Sequence, residues 1–246
     1  MVLEVRGLKK LYRNHRGVSE MTFSLDQGDI FGLLGANGSG KTTAMKCICG
    51  LCPYEGDVSI FDEPVRDNTQ NALKYVGCVV EAPAFYGYLS AEKNLRLAAR
   101  YYGLPADETA DAISRTLGNV GLAHVKNDRV DKFSLGMKAR MGLALCMFSQ
   151  PRFMVLDEPL NGLDIEGMVD IRNIILDLAR STGAAFLISS HLAAEIEKTC
   201  TRVGVMYEGA LLETARMADV LRDYASVEAY YIATLGRMRG VTEIPV

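Results

Sequence analysis

The stretch "IFGLLGANGSGKTT" (Ile30–Thr43) constrains the fold more than any other part of the chain. An apolar run suited to a buried strand gives way to clustered glycines, and a helical pattern then runs to Gly50. Gly35 to Thr42 fit G-x-x-x-x-G-K-[ST], and strand–loop–helix is the context that gives the pattern its meaning. Glycine lets successive backbone N–H groups curl around an anion where side chains would obstruct them. The helix N-terminus beneath adds partial positive charge. Gly35, Ala36, Asn37, Gly38, Ser39 and Gly40 are therefore expected to cradle phosphate. Lys41 is expected to reach the β- and γ-phosphates, Thr42 to offer its hydroxyl to Mg²⁺, and Thr43 to donate on the α-phosphate side. The implied ligand is a nucleoside triphosphate.

The remaining pattern predicts an α/β fold. Apolar runs at Tyr75–Val80, Phe153–Asp157, Ala184–Ser190 and Arg202–Tyr207 are separated in several places by helical patterns. Such alternation indicates a mostly parallel sheet covered on both faces. "VLEVRGL" and "EMTFSL" add amino-terminal antiparallel strands. Between Pro83 and Gln150 no strand run occurs, and "SAEKNLRLAARYYG", "DETADAISRTLGNVG" and "SLGMKARMGLALCMFS" all read as helix. The expected organisation is a core over 1–82 and 151–215, an inserted helical lobe over 83–150, and a helical tail over 216–246.

Composition removes several alternatives. The 246 residues are 49% hydrophobic, ample for a buried core, and the formal net charge of −3 speaks against a nucleic-acid partner. No apolar run approaches the roughly 20 residues of a membrane span. The start "MVLEVRGLKK" resembles neither a signal nor a transit peptide, so a cytoplasmic location is expected. "CICGLC" lacks the second ligand pair of a zinc site, so the six cysteines are read as small buried thiols.

"FMVLDEP" (Phe153–Pro159) places two acids at the end of a buried strand, the edge where α/β sheets bind ligands. Asp157 is expected to hold Mg²⁺, and Glu158 to orient and deprotonate the attacking water. His191 ends another such strand, "LISSH", and is expected to contact the same γ-phosphate. Tyr12, in "KKLYRN", is positioned to stack on a base.

"FSLGMKARMGLALCM" (Phe133–Met147) stands shortly before the acidic strand end, and "LNGLD" (Leu160–Asp164) and "SSH" follow it. In this order, over roughly residues 1–213, the chain resembles the ATP-binding subunits of ABC transporters. The resemblance implies a P-loop ATPase of ABC type, with ATP as nucleotide and Tyr12 as its adenine partner. It makes "SLGMK" the signature motif, with Ser134 and Gly136 matching, Leu135 replacing a glycine and Met137 a glutamine. A Ser-x-Gly entering a helix is an anion site. The family uses it to complete the ATP site of a second nucleotide-binding subunit, expected here to be an identical chain. Asp164 resembles the aspartate that links the paired sites. A separate transmembrane permease is implied, holding the chain peripherally at the inner face of the membrane.

Glu81 stands where the family usually carries a glutamine that helps hold the metal. The added charge beside Asp157 and Glu158 is expected to make MgATP binding more dependent on magnesium and pH. With "AFYGYLSAEKNL" and "SSHLAAEIEK", Glu81 makes the chain most similar to the ATPases of bacitracin and lantibiotic peptide transporters, despite Leu160 and Ile165 replacing a threonine and a proline. Export of, or immunity to, peptide antibiotics is the implied function. The alternative is a soluble ABC-type ATPase acting on nucleic acid or the ribosome.

Overall fold

The computed structural model describes residues 1–240. In chain order, β1 (Leu3–Leu11), β2 (Gly17–Val18), β3 (Phe23–Leu25) and β4 (Ile30–Leu34) lead to α1 (Lys41–Ile48). β5 (Glu55–Ile60), β6 (Glu63–Pro64), α2 (Thr69–Ala72) and β7 (Val76–Val79) follow. Then come α3 (Ala91–Tyr101), α4 (Ala106–Asn119) and α5 (Leu135–Met147), with single 3-10 turns at Ala123–Val125 and Val130–Lys132. The chain continues through β8 (Phe153–Leu156), α6 (Ile165–Thr182), β9 (Ala185–Ser190), α7 (Ala193–Thr199), β10 (Arg202–Tyr207) and β11 (Ala210–Arg216). It closes with α8 (Met217–Asp223) and α9 (Val227–Arg239).

Two sheets result. The larger has the order β11-β10-β4-β9-β8-β7, parallel throughout except for the β10–β11 hairpin. Every residue of β4, β8 and β9 is buried, which explains why they are apolar apart from the two serines that end β9. The smaller sheet is antiparallel, with β1 pairing β2, β3 and β5, and β6 on the edge. Two apolar cores lie on opposite faces of the parallel sheet. One packs Phe31, Leu33, Phe153 and Leu187 against α1 and the antiparallel strands. The other packs Leu34, Leu156, Phe186 and Ile188 against α3–α7.

The inserted segment is helical as expected, and it joins β7 to β8, which are themselves paired neighbours. It therefore leaves the sheet and returns to the adjacent strand. Its residues Leu95, Leu117, Met141 and Ala144 belong to the same continuous core as the sheet face beneath. Three serines start helices here and later: Ser90, Ser134 and Ser226 each accept a backbone N–H from the first turn.

The carboxy-terminal helices also pack inward. Val227 and Tyr230 are buried, and the Val227 amide donates to Glu197 of α7 at 2.9 Å. The rest of the expected tail, residues 241–246, lies outside the described residues. Among the described residues no helix is long and apolar enough to cross a membrane. Four cysteines are buried as expected; Cys52 is half-buried and Cys78 exposed, because β7 is the edge strand of its sheet.

Candidate active site

The loop after β4 closes onto α1 with no side-chain cap. Gly40, at the N-cap, has φ 104°, a left-handed conformation, and a Cβ there would stand 2.4 Å from the Gly17 carbonyl oxygen. Gly40→Ala is expected to cost about 1–3 kcal/mol, lower the melting temperature by several degrees, and weaken nucleotide binding. An unchanged melt and affinity would show that the loop needs no glycine there. Ala36, Asn37 and Gly38 are exposed along the loop, and Ser39 is buried with its hydroxyl unpartnered. Uncapped first-turn amides and an orphaned hydroxyl in one loop fit an anionic ligand. Thr42 and Thr43 follow on the first turn of α1, both half-buried.

Lys41 crosses from loop to strand edge. Its Nζ donates to the Gly35 oxygen at 2.7 Å and the Ala36 oxygen at 3.2 Å, and it lies 3.2 Å from Glu158 Oε1. The Glu158 contact is ionic, not a well-directed hydrogen bond, and Oε1 has no other partner among the described residues. Glu158 Oε2 lies 2.9 Å from His191 Nδ1. The backbone of Glu158 is left-handed, at φ 47°, a conformation that costs a non-glycine residue about 1 kcal/mol or more. The carboxylate is thus held between an ammonium and an imidazole by a strained turn.

Asp157 is held just as closely. The Thr42 hydroxyl donates to its Oδ2 at 2.8 Å, and the Ser189 hydroxyl donates to its Oδ1 at 2.6 Å. Ser189 also accepts from the Glu158 amide at 2.8 Å, so one hydroxyl ties both acids to β9. An alcohol oxygen and a carboxylate oxygen side by side are hard donors of the kind Mg²⁺ takes, with its remaining ligands from water and phosphate.

Ser189 was not singled out from the sequence, where it is one letter of "LISSH". The available signal is two hydroxyls, Ser189 and Ser190, ending an otherwise apolar and fully buried strand, each of which must find a polar partner. Ser189→Ala leaves a buried carboxylate and an amide each short of a partner. It is expected to cost about 1–3 kcal/mol of stability and to slow ATP turnover together with it. Thermal melts and steady-state ATPase assays check this; loss of neither would remove Ser189 from the site.

Glu81 has its own partner. It sits in a left-handed turn after β7, at φ 68°, and accepts from Lys46 of α1 at 2.5 Å. The carboxylate holds the Lys46 ammonium above its ordinary pKa. Glu81 still lines a cleft of about 580 Å³ with Thr42, Asp157, Glu158, Leu135 and Lys138. The lysine is a residue the sequence reading missed, and it matches the charge that reading left uncompensated.

Tyr12, Ser134, Gly136 and Asp164 stand apart from these contacts. Tyr12 follows β1 in a turn closed by its amide to the Arg16 oxygen; its ring is exposed, with Lys10 Nζ 5.3 Å from the centroid. Ser134 is the exposed N-cap of α5, its hydroxyl accepting from the Met137 amide at 3.2 Å; a Cβ on Gly136 would meet nothing within 4 Å. Asp164 caps α6, accepting from the Gly167 amide at 2.8 Å. The structure gives Asp164 a helix-capping role in addition to any contact beyond the chain.

Residues 18–161, more than half of the chain, match the family model described as "ABC transporter". The bacitracin transport ATP-binding protein BcrA of Bacillus licheniformis is 39% identical over 86% of this chain and 69% of its own length. The lantibiotic transport ATP-binding protein SrtF of Streptococcus pyogenes is 33% identical over 86% of this chain and 89% of its own. A solved ATP-binding subunit of an ABC transporter superposes with a TM-score of 0.83 at 27% identity, covering 96% of this chain and all of that one. The phosphate loop, the two tethered acids and these likenesses agree, and the chain belongs to the ABC transporter family as an ATP-binding, ATP-hydrolysing subunit.

Proposed function

We propose that the chain is the motor of a peptide-antibiotic transporter, working as a pair of identical subunits on a separate permease at the inner face of the cell membrane. The observation that carries the ATP-hydrolysing part of this reading is the line of contacts Lys41–Glu158–His191 joining phosphate loop to strand edge. Lys41 exchanges its loop carbonyls and Glu158 for the β- and γ-phosphates. Released from the ammonium, Glu158 Oε1 accepts the proton of the attacking water, while His191 holds Oε2 in place. Tyr12 stacks on adenine, and the amides from Gly35 to Thr43 bind the phosphates. Thr42 and Asp157 would hold Mg²⁺, which would supply neutralisation of phosphate charge. Ser189 keeps Asp157 and Glu158 in fixed register.

The second half of each site comes from the partner chain. Ser134 and Gly136, open at the start of α5, are free to meet the γ-phosphate bound on the other subunit. Asp164, on the adjoining loop, links the two sites. Nucleotide binding then favours the closed pair and hydrolysis reopens it, the differential affinity that a shift between states requires. The cleft between α5 and Glu81 passes the motion to the permease.

Glu81 competes between Lys46 and the metal. Glu81→Gln is expected to make ATP affinity less sensitive to free Mg²⁺, by about two- to fivefold, the scale of one exposed charge pair. Titrations of nucleotide binding against Mg²⁺ test this, and superimposable curves would place Glu81 outside the metal's surroundings.

The names of the relatives support bacitracin-like or lantibiotic peptides as cargo. The test is to express the chain, with the membrane protein that co-purifies with it, in a sensitive bacterium, and to measure the inhibitory concentration of bacitracin and of a lantibiotic. Protection that disappears in Glu158→Gln supports the proposal. Equal sensitivity with and without the pair would remove the peptide cargo while leaving the ATPase intact.

A further inference from the structure

We propose that Cys47 and Cys52 form an oxidation site, a dithiol that a hydroperoxide converts reversibly to a disulfide at the C-terminal end of α1. The cap of that helix prearranges the pair. Gly50, at φ 66°, reverses the chain: its amide donates to the Cys47 oxygen at 3.0 Å, and the Leu51 amide to the Lys46 oxygen at 2.8 Å. These crossed bonds make a Schellman turn, which folds the next residue back over the last turn of the helix. The two Sγ atoms consequently lie 3.3 Å apart. A disulfide is about 2.05 Å long, so closing it requires an approach of only about 1.2 Å.

The two thiols differ in access. Cys52 is half-buried on the loop, whereas Cys47 is fully buried and burial pushes its thiol pKa far up. Cys52 is therefore the attacking group and Cys47 the resolving one. The Cys52 thiolate attacks the outer oxygen of the hydroperoxide, the O–O bond breaks, and Cys52 sulfenic acid and an alcohol form after proton uptake. Cys47 sulfur then attacks Cys52 sulfur, the S–O bond breaks, and the hydroxyl leaves as water with the Cys47 proton. The dithiol loses two electrons and two protons, and the peroxide becomes one alcohol and one water. Cys146 and Cys200 are buried singly; buried Cys49 faces exposed Cys78, whose thiol that contact lowers to about 7, so Cys49–Cys78 is the competing pair that Cys78→Ser removes.

The full chain is treated with tert-butyl hydroperoxide, alkylated under denaturing conditions and cut with trypsin. Cys47, Cys49 and Cys52 then fall on one peptide, Cys47–Arg66. The expected product carries one alkyl group, on Cys49, and has lost two hydrogens; dithiothreitol restores three alkylation sites. It forms at least about tenfold faster than any modification of Cys146 or Cys200. Cys52→Ser is expected to abolish it and Cys78→Ser to leave it unchanged. Retained alkylation of both Cys47 and Cys52, a bridge to Cys49 or Cys78, or Cys52 oxidised to sulfinic acid without pairing would each overturn the proposal.

Discussion

Glu158→Gln is expected to bind ATP and to turn it over about 10²–10⁴-fold more slowly than the native chain, the usual contribution of a positioned general base. The amide keeps the shape and the His191 contact but has little basicity, so the water keeps its proton. Binding is expected to persist, because the phosphate contacts come from the loop and Lys41. Removing the carboxylate also frees Lys41 from the 3.2 Å ionic contact, which leaves the ammonium more available to phosphate. ATP affinity should therefore be equal or higher while turnover collapses. Normal turnover in this variant would refute Glu158 as the base and would shift attention to His191.

Lys41→Met is expected to act at the earlier step. The native Lys41 side chain is only 5% exposed, its ammonium enclosed by two loop carbonyls and Glu158. Methionine fills the volume but leaves the carbonyls without their donor and Glu158 without its cation. Truncating one partner of a buried charge pair costs about 2–5 kcal/mol, so ATP affinity should fall on the order of a hundredfold or more. Equilibrium titration with a fluorescent ATP analogue measures this separately from hydrolysis. The contrast between the two variants is diagnostic: one binds without turning over, the other fails to bind. Equal affinity in native and Lys41→Met chains would mean that the loop amides alone carry the phosphates.

The sequence was most legible where burial is two-sided. β4, β8 and β9 announce themselves because both faces are buried and, apart from the two serines that end β9, carry no polar side chain, and the motif residues sit at their ends. β5, β6 and β11 are harder to read because they lie at or near sheet edges, half exposed. "EGDVSI", "EP" and "ALLETAR" carry polar residues that the apolar-run criterion passes over. In the site, residues with a fixed motif spacing were readable, from Gly35 to Thr43 and at Asp157 and Glu158. Contacts made by folding were not. Lys46 meets Glu81 across 35 positions, and Ser189 meets Asp157 across 32; neither pairing has a local signature. Asp164 shows the reverse case, a residue assigned to a contact between subunits whose side chain also caps its own helix.

Everything proposed for transport depends on two chains enclosing nucleotide between the Lys41 loop of one and the Ser134 helix end of the other. The direct measurement is the mass in solution of Glu158→Gln by sedimentation, with and without ATP and Mg²⁺, over a wide range of chain concentration. The expected result is a species of twice the 26.9 kDa chain mass with ATP, and a monomer without it or with Ser134→Tyr. A monomer under all of these conditions, including in the presence of the permease, contradicts it.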